Sequence, residues 1–374
     1  MRAAAISNEL MSESTATGLS GCSRRTALRR LAGAALPLAL PEYIGAADLK
    51  RTSLGLVLYC RRLRRNQMRK INPQYDLFSP RNFLNHCRDI GAGGMQGSLG
   101  VLPAEEAAKL RDTAERHSLY LEAIVRLPAD RSDLERFAAE LQTAAAVGAK
   151  AARTTMIPGR RYEQFDSLQS FRESVRRGRR MLELAVPVAE KYRLPLAVEN
   201  HKDQRDAERI TLLEHLSSEF AGACVDTGNS FALLQDPIET VRAFAPWAHS
   251  VHLKDQALQL CDDGFLLADI PLGQGGLDLK TMVRILKKAR PDVHFSLELI
   301  TRDPLKVPCL TEQFQVTLPQ VPARDLARTL RYVRKHSSDN LQYLSKMTDN
   351  ERVAREDLNV QQSLDYARNE LGLI

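Results

Sequence analysis

The chain has no apolar run suited to crossing a bilayer: its N-terminal apolar segment, residues 31–44, falls short of the roughly 20 residues that a spanning helix requires. No transmembrane anchor is expected. The six cysteines (Cys22, Cys60, Cys87, Cys224, Cys261 and Cys309) contain no C-x-x-C and no paired zinc-finger spacing. That disfavours a disulfide framework or a structural zinc and leaves mostly buried free thiols. Charge of one sign is not concentrated either. The net charge of +7 would suit an anionic partner, but the basic residues are scattered in pairs, so no nucleic-acid partner is expected. Finally, the first apolar stretch, residues 54–59, runs into Tyr59-Cys60-Arg61-Arg62 instead of a glycine-rich turn. This counts against an open, doubly wound nucleotide-binding sheet.

What is present suits a soluble globular protein: 44% hydrophobic and 26% charged residues are enough to build a sizeable core. Near the N-terminus, Ser23-Arg24-Arg25-Thr26-Ala27-Leu28-Arg29 resembles a twin-arginine export signal, followed by the apolar segment and the small residues Gly45-Ala46-Ala47. Residues 1–47 are thus read as signal and linker, with the mature protein in the periplasm or cell exterior, or in the cytoplasm if the signal is silent. From residue 52, short apolar runs alternate with longer amphipathic ones, the pattern of repeated βα units around a parallel sheet. Eight such units fit a closed (β/α)₈ barrel over residues 48–340. Residues 341–374 read as a tail of one or two polar helices on the outside, available as a contact in a homo-oligomer. The basic run 61–70 is expected in a rim loop and 176–180 on an outward-facing helix.

The last four strands carry the chemistry. Residues 194–201 (LPLAVENH) form an apolar run that ends in a carboxylate, an amide and an imidazole, and residues 223–229 (ACVDTGN), 249–255 (HSVHLKD) and 294–300 (HFSLELI) repeat the pattern. Continuous apolar runs of this length read as strands buried on both faces, and in a barrel the C-terminal strand ends surround the active site. Glu199, Asp226, His252 and Glu298 would then face one rim. Three crowded carboxylates repel one another unless a cation neutralises them, and one imidazole with three carboxylates suits one divalent ion such as Mn²⁺, Mg²⁺, Co²⁺ or Zn²⁺.

The motifs VENH, VDTGN, HLKD and SLEL, with the turn Leu272-Gly273-Gln274-Gly275-Gly276-Leu277-Asp278, resemble the xylose isomerase-like TIM-barrel superfamily, which includes sugar isomerases and epimerases and a relative of endonuclease IV. The resemblance implies a metal held by Glu199, Asp226, His252 and Glu298, with Glu199 and Glu298 doubling as proton-transfer groups on a sugar substrate that reacts through an enediolate. A lyase acting on a keto sugar or sugar acid through the same intermediate is the alternative. A binding barrel without turnover is a further class. The endonuclease reading fits poorly: a trinuclear zinc site needs additional His and Asp ligands, yet Asn229 stands where many relatives have histidine, and residues 258–269 contain no histidine.

Further substrate contacts are expected from His201 and Lys254, each two residues beyond a ligand and so on the same side of a continued strand, from Asn229, and from Arg161 in the loop after the fourth strand. Asp255 is expected to cap or pair, and Arg153, nearer the start of its strand, to lie away from the site.

Overall fold

The computed structural model describes residues 51–338 and 341–374; the expected export signal lies outside the described residues. Eight short parallel strands close into a barrel: β1 (Gly55–Val57), β2 (Gly94–Gly97), β3 (Tyr120–Ile124), β4 (Ala152–Thr154), β5 (Leu196–Glu199), β6 (Ala221–Asp226), β7 (Ala248–Leu253) and, after a hairpin of β8 (Asp255–Cys261) and β9 (Gly264–Ile270), β10 (Phe295–Leu297). β10 pairs with both β7 and β1, which completes the ring. A further strand, β11 (Leu305–Val307), joins β9 and β8 in a separate three-stranded antiparallel sheet. The helices are α1 (Arg62–Ile71), α2 (Pro80–Asp89), α3 (Ala104–Arg116), α4 (Leu134–Ala146), α5 (Arg161–Gln164), α6 (Leu168–Tyr192), α7 (Asp206–Leu216), α8 (Pro237–Phe244), α9 (Leu279–Ala289), α10 (Glu312–Thr317), α11 (Ala323–Lys335) and α12 (Asp349–Glu370). The (β/α)₈ expectation therefore holds.

Three features depart from the sequence reading. Residues 61–70 are not a rim loop: most of them form α1, a helix with no buried residue. It is held from far away, because both carboxylate oxygens of the buried Glu356 accept the backbone N–H groups of Leu63 and Arg64 at 2.8 and 2.9 Å. Asp357 pairs with Arg61 at 2.7 Å and also with Arg64. Backbone donors in the first turn of a helix have no partner inside it, and here α12 supplies one.

Second, the C-terminal segment is one helix with a buried face. Val360, Leu364 and Ala367 of α12, with Leu373 beyond it, join the main core that surrounds the barrel, whereas Val333 of α11 packs in a second core with Phe231, Phe265, Val307 and Phe314. α12 bonds to α1 on one side, and on the other to α9 through Lys280–Glu370 and to the preceding turn through Ser363. It thus occupies the place of an eighth barrel helix, where the sequence reading expected an outside tail.

Third, residues 258–269 belong to the β8–β9 hairpin. It lies on the side where the ligand-bearing strands end, since β8 begins two residues after β7 ends. No described helix is long and apolar enough to cross a membrane, and the described cysteines are all free.

Candidate metal centre

Strand register brings the four ligand candidates together. Asp226 of β6 and His252 of β7 are direct partners, Glu199 of β5 pairs with Cys224 two positions before Asp226, and Glu298 follows β10 with its N–H bonded to Leu253 at 3.0 Å. One ligand atom from each lies within 4.8 Å of all the others. His252 Nδ1 stands at the middle, 3.4 Å from Glu298 Oε2, 3.8 Å from Glu199 Oε1 and 3.9 Å from Asp226 Oδ2. His252, Glu199 and Asp226 are fully buried and Glu298 nearly so.

The donor set fits a divalent ion by a specific test. His252 Nδ1 is buried without a hydrogen-bond partner, while the opposite ring nitrogen, Nε2, lies 2.7 Å from Gln96 Oε1. An amide oxygen only accepts, so Nε2 carries a proton. The neighbouring anionic groups hold the buried imidazole's pKa well above its usual value, so Nδ1 also carries a proton without an ion and would give it up to an ion taking that lone pair. Gln96 is itself oriented. Its Nε2 donates to Glu122 Oε2 at 2.7 Å and lies 3.2 Å from Ser250 Oγ, and Ser250 donates to the same Glu122 oxygen at 2.6 Å. Gln96 and Glu122 are direct partners across β2 and β3. Such an outer layer fixes a ligating imidazole's tautomer and ring orientation.

Each carboxylate is steadied by donors while an oxygen faces the centre. Asp226 Oδ1 accepts the N–H groups of Gly228 and Asn229 at 2.9 and 2.8 Å. Glu199 Oε2 binds Arg153, and its Oε1 accepts from Asn229 Nδ2 at 3.0 Å. Lys254 Nζ bridges Asp226 Oδ2 at 2.9 Å and Glu298 Oε2 at 2.8 Å. Burial pushes Asp226 up to about 6, with Lys254 opposing it. For Glu298, burial is outweighed by Lys254 and His252, and for Glu199 by Arg153, so both glutamates are held ionised.

The remaining candidates are placed as follows. Lys254 and Asn229 are in the cluster. His201 is half-buried, with Nδ1 2.9 Å from the Gly159 carbonyl, and burial holds its pKa down to about 4, so the ring is neutral. Arg161 is not brought to the cluster. Its guanidinium stacks 3.6 Å from the Phe171 ring and binds Glu208 at 2.8 Å and the Thr317 carbonyl, so the start of α5 points it into packing between elements. Arg153, expected to lie away, does reach the site: β4 spans only Ala152–Thr154, so Arg153 is at mid-strand and its buried side chain meets Glu199. Asp255 caps the glycine turn, accepting N–H groups from Gly273 and Gly275 at 2.9 Å and Leu277 at 3.2 Å. A Cβ at Gly275 would lie 2.1 Å from Asp255 Oδ1, so the turn requires glycine there.

Sequence reasoning missed Gln96, Glu122, Ser250 and Lys202. Glu122 carried a signal, since it interrupts the apolar stretch Leu121-Glu122-Ala123-Ile124 in the middle of a buried strand. Lys202 is buried and donates to Asn229 Oδ1, the oxygen that Lys254 Nζ also meets at 3.3 Å.

Residues 84–342 match the family model "Xylose isomerase-like TIM barrel". The chain belongs to that family. Among solved structures it is similar to an L-ribulose 3-epimerase (14% identity, 86% of this chain and 97% of the other, TM-score 0.50). It is similar also to a D-psicose 3-epimerase crystallised in the presence of D-fructose (13% identity, 80% and 95% coverage, TM-score 0.52). At these identities the likeness concerns the fold. A 120-residue stretch is 24% identical to a 3-oxo-isoapionate decarboxylase of Pectobacterium atrosepticum, covering 32% of this chain and 44% of that protein. The match thus spans less than half of that relative.

Proposed function

We propose that the protein is a divalent-metal-dependent enzyme that rearranges a keto sugar or a related polyol, as an isomerase or epimerase, by moving a proton at the carbon beside a carbonyl. The observation that carries this reading is the convergence of two ionised glutamates with Asp226 and the unpartnered Nδ1 of His252 at one buried point. A divalent ion held there supplies Lewis acidity toward the substrate's carbonyl oxygen and its neighbour. The residues supply the rest. A carboxylate of Glu298 or Glu199 accepts the C–H proton and the electron pair moves onto the carbonyl oxygen. In an isomerisation the same glutamic acid returns that proton to the adjacent carbon, and in an epimerisation the other glutamate, once protonated from solvent, delivers one to the opposite face. Lys254, 2.8 Å from Glu298 Oε2, keeps that carboxylate ionised before the transfer and can replace its proton afterwards.

Decarboxylation of a 3-oxo sugar acid is the second reading. The likeness to a decarboxylase over 120 residues and the second lysine beside Lys254 support it. In that reaction the bond to the carboxylate breaks, carbon dioxide leaves, the electron pair becomes an enolate, and a lysine ammonium protonates the carbon.

Export would favour an unphosphorylated substrate; a reporter fused behind residues 1–50 that stays in the cytoplasm removes that part. The central test combines metal content with isotope exchange. Near one divalent ion per chain is expected, and three zinc ions would sink the reading. Incubation with keto sugars in D₂O should place deuterium beside the carbonyl. Glu298→Gln should lower that exchange by a factor of about 10² or more, and an unchanged rate removes Glu298 from the mechanism.

A further inference from the structure

One cation of the site has no carboxylate of its own. Glu199 is matched by Arg153, and Asp226 and Glu298 share Lys254. Lys202 stands apart: among the described residues no carboxylate lies within ion-pairing distance of its ammonium, and its partner is the neutral amide oxygen of Asn229, shared with Lys254. Nearby buried charges are otherwise paired, Asp203 with Arg209 at 2.6 Å and Asp269 with Arg302 at 3.2 Å. Three carboxylates (Glu199, Asp226, Glu298) against three cations (Arg153, Lys254, Lys202) sum to zero, so a divalent ion leaves a surplus of two positive charges. Glu122, one layer deeper, offsets at most one.

Two ammonium groups on one neutral acceptor in a buried site repel each other. Burying an unpaired ammonium is costly, and a single amide bond gives little in return. We propose that this arrangement is a built anion subsite: the substrate is a sugar acid, and Lys202, with Lys254 beside it, binds the carboxylate. An ammonium bonded to a carboxylate gains a charge-assisted hydrogen bond, and the incoming anion cancels the surplus. Because Lys254 also touches two metal ligands, the carboxylate sits within a carbon or two of the oxygens at the metal. The charges of Asp269 and Arg302 also act on Lys202. The inference rests on the proposed metal-dependent reading.

Hydroxypyruvate and dihydroxyacetone test it, since they differ only in a carboxylate against a hydroxymethyl group. Calorimetric binding to the Mn²⁺-loaded full chain should favour the acid by at least about tenfold, and Lys202→Met should reduce that preference about tenfold. A carboxylate that merely chelates the ion would keep its preference in the variant. The ligand-free variant should also melt higher than the parent, because a buried unpaired cation is gone; a structural lysine would make it melt lower. No detectable acid binding, an unchanged preference or a lower melting temperature overturns the proposal. The two readings fail separately. Deuterium exchange into dihydroxyacetone without a Lys202-dependent preference leaves the enzyme and removes the acid, whereas Lys202-dependent acid binding without metal or exchange does the reverse.

Discussion

Gln96 offers a direct test of how the barrel interior prepares the centre. In Gln96→Leu the Nε2–H of His252, now 2.7 Å from an amide oxygen, faces an apolar side chain. A buried donor left without an acceptor costs about 1–3 kcal/mol. The ion-free protein can evade that cost by releasing the Nε2 proton and keeping the one on Nδ1, where Glu298 Oε2 is 3.4 Å away, but a metal-bound protein could not, since Nδ1 would be the ligand. The penalty therefore falls on binding, and metal affinity should drop by about 10 to 100-fold, the range in which outer-layer partners of ligating histidines act. Competition against a chelator of known affinity, with Mn²⁺ as the ion, measures it. Gln96→Glu is the control. It keeps an acceptor for His252 and can share a proton with Glu122, whose pKa burial pushes up to about 7, so it should retain more affinity than the leucine variant. An unchanged dissociation constant in a folded Gln96→Leu protein would refute this account of the tautomer.

Four further outcomes are expected. Burial and Lys254 hold Lys202 down to about 8, against about 10.4 in an unfolded chain, so binding of hydroxypyruvate should weaken as pH rises through 8 in the parent and not in Lys202→Met. The sign for stability is opposite: the folded chain releases this proton first, so its contribution to stability rises between pH 8 and 10 by about 2 kcal/mol, which urea melts at the two pH values can compare. Glu356→Ala should cost about 1–2 kcal/mol in denaturant melts by stripping α1 of both backbone partners, and no loss would mean that α1 does not depend on α12. Arg161→Ala should lower stability by roughly 1–3 kcal/mol with hydroxypyruvate affinity unchanged; a matching loss of affinity would return Arg161 to the substrate site.

Legibility in the sequence followed how local each signal is. α6, α8 and α9 show as amphipathic periods in their own residues, and the four ligands show because burial stops at a charged residue on each strand. α1 did not show, because its basic sequence has few apolar residues and its stabilising partners, Glu356 and Asp357, lie nearly three hundred residues later. The β8–β9 hairpin did carry a local signal, Asp263-Gly264 between alternating apolar residues, which marks tight hairpin turns; counting only parallel units hid it. Arg153 and Arg161 were exchanged for a simpler reason. Which side of a short strand or helical turn a long side chain takes depends on register and on distant partners such as Glu199 and Thr317, neither of which a local window contains.

The placement of cations also bears on the order in which this site is assembled. Three buried carboxylates within a few ångströms would oppose folding if left bare, yet Arg153 on β4, Lys254 after β7 and Lys202 after β5 bring a matching charge from three separate segments. Two of these are in contact with the carboxylates themselves, so the barrel can close before any ion arrives. Lys202 serves no carboxylate in the folded chain, and its charge becomes favourable only when an anion enters. A site that needed only a metal and a neutral sugar would gain stability by replacing Lys202 with a methionine. Its buried position is what, on the proposal above, would fit the barrel to acids over neutral sugars.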